Sequence, residues 1–391
     1  MTQGAGAGPR AGRGTEEPDP PLTIGFLIDR WQPTRGGAER ALAAFAAHLE
    51  QCGHEVLAFG LEGPLPGTRA PGRFVGVGTR GLTRAARERE LARRSLAAAR
   101  AAGCALTVGV RHLPEVDLLW LHGGTHAGSL RALGRRPRGR HRAFLELERQ
   151  ALGGGAQRVV AVSELVRREV LELDPGAGER TVVVPNGVDL ERFHPEARAA
   201  ARSGLLEAAG WSEGGPVLTF VARNPELKGL PQLVAALEVL DDLPWRLLVA
   251  GPRQVRRWER EAARLGGPER VRVLPELEGL TLAAGSDLCV LPSRRDPCPL
   301  TLLEALAAGT PVLASDAVGG LEGRLQGPFG EVVPLAAPTA ELAARLAAWI
   351  VRIGEAPPER EVVSASVADR GQGAWLAALE KTLLELPRGT A

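Results

Sequence analysis

Cysteine is scarce in this 391-residue chain, and the four that occur, Cys52, Cys104, Cys289 and Cys298, lie far apart. No CxxC pair exists, so neither a zinc knuckle nor a disulfide scaffold is expected. Cys289 sits in an apolar run and reads as a small core residue. No run of 18 apolar residues occurs, so no membrane-spanning helix is expected. The first 21 residues are largely Gly, Ala, Pro and charge. They lack the apolar stretch of a signal peptide and read as a disordered tail, which makes a cytoplasmic protein the expectation. Neither HExxH nor DxD appears, so a catalytic metal has no support. Lysine is nearly missing: of 48 basic residues only Lys228 and Lys381 are Lys. Where Arg serves almost everywhere, a retained Lys marks a place that needs a compact ammonium.

What is present points to two cores. The length exceeds one compact domain, and 44% of residues are apolar. The net charge of +2 argues against a polyanionic partner for the whole chain. The charge is uneven, however: residues 81–142 hold thirteen Arg against Glu88, Glu90, Glu115 and Asp117. Short apolar runs recur between helix-period stretches: TIGFLI (23–28), EVLAF (55–59), ALTVGV (105–110), DLLWL (117–121), RVVAVS (158–163) and TVVVP (181–185). A second series follows: VLTFVA (217–222), RLLVAG (246–251), VRVLP (271–275), DLCVLP (287–292) and PVLAS (311–315). Near-continuous apolar strands alternating with helices predict parallel sheets covered on both faces. The expected architecture is α/β, with two doubly wound Rossmann-like domains over 22–198 and 199–365 and a ligand crevice at the carboxyl ends of their strands. A last amphipathic helix within 366–391 is expected to pack back on the first domain.

Four loops at predicted strand ends carry polar groups that a core does not need. In RRDPCPLTLLEALAAGTPVLAS (294–315) a helix is expected from Pro299 to Gly309. Proline is tolerated at a first helical position, and the free N–H groups of Leu300 and Thr301 then attract an anion. Glu304, a turn further on, can accept from a vicinal diol such as a ribose, and Asp296 from another polyol. Diol, phosphate and sugar are the parts of a nucleotide sugar; a capped helix with a solvated Asp explains the same residues equally well. In FVARNPELKGLPQLVAAL (220–237), Arg223 and Lys228 follow a strand and are placed to clamp a diphosphate. In RWQPTRGGAERAL (30–42), Gly36 and Gly37 allow close backbone approach to a ligand, although this first loop is not GxGxxG, which weighs against a nicotinamide dehydrogenase. In LHGGTHAG (121–128), His122 and His126 end a strand, but the glycines between them argue against a two-His metal face. The run RALGRRPRGRHR (131–142) has no acid and suits an anionic surface such as headgroups or a phosphorylated glycolipid. Its lack of aromatics argues against nucleic acid.

Together these residues resemble glycosyltransferase family 4. DPCPLTLLEALAAGTPVLAS is similar to that family's E-x7-E signature, in which a first acid contacts the donor sugar and a second, eight residues on, binds the ribose. Asp296 and Glu304 have that spacing. VARNPELKGLPQLVAAL resembles the Arg…Lys-Gly diphosphate clamp, with Arg223 and Lys228 in the matching places. VPNGVDLERFHP (184–195) is similar to the interdomain segment, and GGAERAL followed by GHEVLAF to the glycine loop. The stretch VGVRHLPEVDLLWLH also resembles, more weakly, the lipopolysaccharide core glucosyltransferase branch. The resemblance implies a GT-B fold and a retaining, metal-independent hexosyltransferase that uses a nucleotide-diphospho-sugar, a UDP-sugar first of all, and no other cofactor. It implies a saccharide or glycolipid acceptor, cell-envelope glycan synthesis, and peripheral contact with the inner face of a membrane through 81–142. In site terms it implies Gly36 and Gly37 at the donor phosphates, and Arg223, Lys228, Leu300 and Thr301 on the diphosphate. Glu304 falls to the ribose, Asp296 with the Cys298 region to the sugar, and His122 near the reacting carbon. Two departures stand out: Asp296 is one methylene shorter than the usual Glu, and Pro299 replaces a small residue. They leave a non-catalytic binding protein of the same fold as the alternative.

Overall fold

The computed structural model describes residues 20–33, 36–110 and 113–387. The expected disordered tail therefore lies almost wholly outside the described residues. Two parallel sheets form. The first has the order β3-β2-β1-β4-β5-β6-β7, with β1 (Thr23–Leu27), β2 (Glu55–Gly60), β3 (Arg73–Gly76), β4 (Leu106–Gly109), β5 (Leu118–Leu121), β6 (Arg158–Ala161) and β7 (Thr181–Val183). The second has the order β10-β9-β8-β11-β12-β13, with β8 (Val217–Val221), β9 (Arg246–Ala250), β10 (Val271–Leu274), β11 (Leu288–Leu291), β12 (Val312–Ser315) and β13 (Gly330–Val333). Register follows the apolar runs: Ile24 opposes Val56 on one side and Leu106 on the other, and Leu218 opposes Leu247 and Leu288.

Strand order reverses between β1 and β4 and again between β8 and β11. Such a reversal opens a crevice beyond the strand ends, because the flanking helices diverge there. The Gly36–Gly37 loop follows β1, the Arg223 loop follows β8, and the Asp296 loop follows β11. All three polar loops are thus delivered to switch points by topology. The chain does carry one GxGxxG spacing, Gly76–Gly81, but it follows the edge strand β3, away from the switch point.

Helices cover both sheets. The helix Gly37–Gln51 buries Leu42, Phe45 and Leu49 against the first sheet. Phe26, Phe45 and Trp120 meet edge-on at 5.8 Å, the favoured geometry for aromatic quadrupoles. Trp375, on the last helix Gln372–Leu384, lies 6.2 Å from Trp120, so the C-terminal helix packs on the first domain. Its lead-in pairs with the interdomain segment: Val188 N–H donates to the Arg370 carbonyl and Gln372 N–H to the Val188 carbonyl, at 2.8 and 2.9 Å. The helix Arg198–Ala209 packs with the second domain, where Leu205, Ala209 and Trp211 share a buried cluster with Val217 and Leu248.

Candidate functional site

The two switch points face one another across a cleft of about 860 Å³. Gly36, Gly37 and Arg40 line it from the first domain, and Arg223, Thr301 and Glu304 from the second. Gly36 caps the helix Gly37–Gln51 in extended conformation with no side-chain cap. It leaves room for the neighbouring side chains. A Cβ there would sit 3.0 Å from Glu39 Oε2 and 3.9 Å from Arg223 Nη1, and one on Gly37 would sit 3.4 Å from Leu300 Cδ1. The glycine loop, Arg223 and the start of the Leu300–Ala307 helix therefore converge.

That helix begins one residue later than the sequence suggests. Pro299 takes the cap position with extended backbone, φ −71° and ψ 118°. A proline fits there because the cap residue's own N–H is not needed by the helix. Ala307 ends the helix, and Gly309, at φ 78°, turns the chain into β12. Glu304, one turn inside, is 7% exposed and accepts from Arg40 Nη2 at 3.1 Å. Burial pushes its carboxyl up, opposed by the Arg40 guanidinium.

Lys228 and Asp296 are placed differently from expectation. Neither lines the cleft; they pair with each other, Nζ to Oδ2 at 2.5 Å. A carboxylate only 8% exposed needs a countercharge in the absence of ligand, and the compact ammonium at the end of the Pro225–Lys228 helix supplies it. The glycine of the Lys-Gly pair is required: Gly229 has φ 87°, and a Cβ on it would lie 1.9 Å from the Pro292 carbonyl oxygen.

Cys298 and His122 also lie outside the cleft lining. Cys298 is 5% exposed, its carbonyl accepts from Asn186 Nδ2 at 2.9 Å, and burial pushes its thiol up to about 12. Its side chain is packing rather than a sugar contact, since Gly320 closes over the sulfur. His122 ends β5 edge-on to Trp120, with ring centroids 5.3 Å apart. Burial lowers its pKa to about 4, so the ring is neutral, and its Nε2 has no hydrogen-bond partner among the described residues.

Sequence reasoning missed two arginines. Arg40 reaches Glu304 across the cleft. Arg295, 5% exposed, crosses from the Asp296 loop into the first domain and grips Glu169, Nε to Oε1 at 2.6 Å and Nη2 to Oε2 at 2.7 Å. It also donates to Ser129 Oγ at 3.0 Å and the Thr125 carbonyl at 3.3 Å. With 46 Arg in the chain, nothing local distinguishes these two.

Two parallel-stranded, doubly wound domains facing one cleft define the GT-B class. The family profile Glycosyltransferase Family 4 matches residues 35–192, and Glycosyl transferases group 1 matches residues 205–340. Each of the two domains thus matches a glycosyltransferase profile over most of its length. D-inositol 3-phosphate glycosyltransferase of Geodermatophilus obscurus is 36% identical over 62% of this chain and 54% of its own length. The Nocardia farcinica protein of the same name is 40% identical over 42% of this chain and 39% of its own. The chain thus spans about half the length of the curated relatives it matches. Among solved structures, WaaG, a glycosyltransferase involved in lipopolysaccharide biosynthesis, superposes with a TM-score of 0.78 at 19% identity, covering 93% of this chain and 100% of that one. HepE of Anabaena in complex with UDP-glucose gives 0.72 at 19% identity, covering 93% and 100%. At such identities these structures establish the fold. Among the described residues no helix is long and apolar enough to cross a membrane.

Proposed function

We propose that the protein transfers a hexose from a nucleotide-diphospho-sugar, with a UDP-sugar as donor, to a saccharide or glycolipid acceptor, retaining the anomeric configuration and using no catalytic metal. One observation carries the reading: Gly36–Gly37, Arg223, Thr301 and Glu304, delivered from both switch points, line one cleft, and its volume suits a ligand of this size. In the reaction the bond from the anomeric carbon to the diphosphate oxygen breaks, and its electron pair leaves with the diphosphate. The acceptor hydroxyl oxygen bonds to the carbon, and its proton passes to the departing phosphate. Arg223 and the open start of the Leu300–Ala307 helix stabilise charge as it grows on the diphosphate. Glu304 accepts from the ribose hydroxyls, with Arg40 yielding its place. Asp296 takes a donor-sugar hydroxyl and Lys228 a diphosphate oxygen once their mutual pair, which lies outside the cleft lining, opens. His122, neutral and buried with an unpartnered Nε2, is the group that would meet a sugar hydroxyl if donor binding uncovers it.

The relatives' names point to an inositol phosphate acceptor and to lipopolysaccharide. Both suit the positive first domain, where Arg135, Arg136, Arg138 and Arg140 are exposed. Part of the charge nearby is already matched, by Arg89–Glu146, Arg100–Glu115 and Arg131–Glu172 pairs. A place in cell-envelope synthesis and contact with the inner membrane face are finer readings of the same surface. The non-catalytic alternative draws on the Lys228–Asp296 and Arg40–Glu304 pairs, which occupy both signature carboxylates. Incubation with UDP-, GDP- and ADP-glucose plus an inositol phosphate or a phosphorylated core saccharide separates the two. Nucleotide release that falls about 10²–10³-fold in Arg223→Ala, with unchanged circular dichroism, supports the enzyme. Nucleotide binding without release by any donor–acceptor pair supports the alternative.

A further inference from the structure

The helix Gly37–Gln51 starts at the cleft and ends about 22 Å away on the far side of the first domain. At that far end lies a cluster that the transfer reaction does not use. His48 and Cys52 are four residues apart, and the Cys52 N–H donates to the His48 carbonyl at 2.9 Å, so the helical turn runs through both and stacks their side chains on one face. The C-terminal helix supplies the third group. His48 Nε2 lies 2.9 Å from Glu380 Oε2 and 3.8 Å from Cys52 Sγ, and the three ligand atoms lie within 4.8 Å of one another. We propose that His48, Cys52 and Glu380 form a zinc site that staples the C-terminal helix to the first domain.

The chemistry and the spacing agree. Zinc takes imidazole, thiolate and carboxylate in a tetrahedron with bonds of about 2.0–2.3 Å, which sets its ligands about 3.3–3.8 Å apart. The observed spacings bracket that range. A thiolate–imidazole pair disfavours magnesium and calcium, which prefer oxygen alone. Cys52 is exposed, which leaves the fourth position to water. A fourth residue stands beside the set. His54 Nδ1 accepts the Leu22 N–H at 3.2 Å, so in the neutral ring the proton sits on Nε2, which faces Glu380 Oε1 at 3.9 Å. At that distance His54 makes no hydrogen bond to Glu380, but its ring lies beside the carboxylate as a neighbour rather than a fourth ligand. Zinc binding displaces the Cys52 thiol proton to solvent and ties the thiolate and the Glu380 carboxylate to one cation. The staple joins two helices that already pack together, beside the contact of Trp375 with Trp120 of β5, so it fixes the C-terminal helix without touching the cleft.

The test uses the full chain, stripped with chelator and reloaded. We expect one zinc per chain. We also expect a cobalt form with a near-ultraviolet thiolate charge-transfer band and the strong visible bands of a tetrahedral site, and an unfolding temperature that rises with zinc concentration. Cys52→Ser should abolish the charge-transfer band, and Glu380→Gln should weaken zinc binding at least about tenfold. Cys104→Ser should change neither. Circular dichroism of the stripped variants checks that each is folded. No zinc uptake by the folded wild type overturns the proposal. So does uptake unchanged by Cys52→Ser, or a cobalt spectrum without the thiolate band, either of which leaves only adventitious surface binding.

Discussion

Breaking the Arg295–Glu169 pair should destabilise the protein asymmetrically. Arg295 makes two charge-assisted bonds to Glu169, at 2.6 and 2.7 Å, in a place where the side chains are 6% and 9% exposed. If Arg295 is cut to Ala, Glu169 still accepts from Thr125 Oγ1 at 2.7 Å and Thr125 N–H at 3.3 Å. Its charge stays partly satisfied, so the loss falls at the low end of the range for a broken buried pair, about 3 kcal/mol. If Glu169 is cut to Ala, the guanidinium is left with the neutral acceptors Ser129 Oγ and the Thr125 and Gly123 carbonyls. An uncompensated buried cation puts the loss near the upper end, about 5 kcal/mol. Replacing both by apolar residues of similar size, Arg295→Met with Glu169→Leu, should cost less than either truncation, because no charge is then left buried. Equilibrium urea unfolding followed by tryptophan fluorescence measures all three, and the double-mutant cycle gives the coupling. Losses under about 1 kcal/mol for both truncations, or a double variant as damaged as the two singles added, would refute the reasoning.

Two further predictions follow from the same kind of accounting. Lys228→Ala should lower turnover and also destabilise the Asp296 loop, since it strands a buried carboxylate; adding Asp296→Asn should recover stability but not turnover. Urea midpoints beside nucleotide-release rates check both halves, and recovery of turnover in the double variant would count against Lys228 acting on the diphosphate. Glu148 is 1% exposed and accepts from the His126 and Ala127 N–H groups, yet burial pushes its carboxyl up to about 7. The folded state holds this proton more tightly than the unfolded chain. Its contribution, about 3 kcal/mol, is complete below about pH 4.5 and lost as pH rises through 7. Glu148→Gln should therefore flatten the change in urea midpoint between pH 5 and pH 8, and parallel pH slopes in both proteins would remove Glu148 as the cause.

Most of the eleven legible strands are buried on both faces and read as near-continuous apolar runs. Four strands are sheet edges: β7 and β10 keep enough Val and Leu, as TVV and VRVL, to be read, whereas β3 and β13, as RFVG and GEVV, are short, carry a glycine and a charge, and mix exposed and covered positions. Gly36, Gly37, Arg223, Thr301 and Glu304 were legible for a local reason: each follows a strand end, and topology alone carries strand ends at the switch points to the crevice. The mutual pairing of Lys228 and Asp296 was not, because it joins two loops through space and depends on how deeply Asp296 is buried. The resemblance put the Cys298 region at the sugar, but the Cys298 side chain turns inward under Gly320. Arg40 and Arg295 illustrate the opposite failure, since an abundant residue type conceals the few members that bridge the domains.

The paired backbone at Val188 and Gly371 has a mechanical consequence. The chain passes between its halves there twice, and two hydrogen bonds lace those passes side by side. The ribbon ties the lobes together at one edge, while Arg295–Glu169 and Arg40–Glu304 tie them elsewhere, so any opening of the cleft that parts Arg40 from Glu304 also has to reckon with the buried Arg295–Glu169 pair.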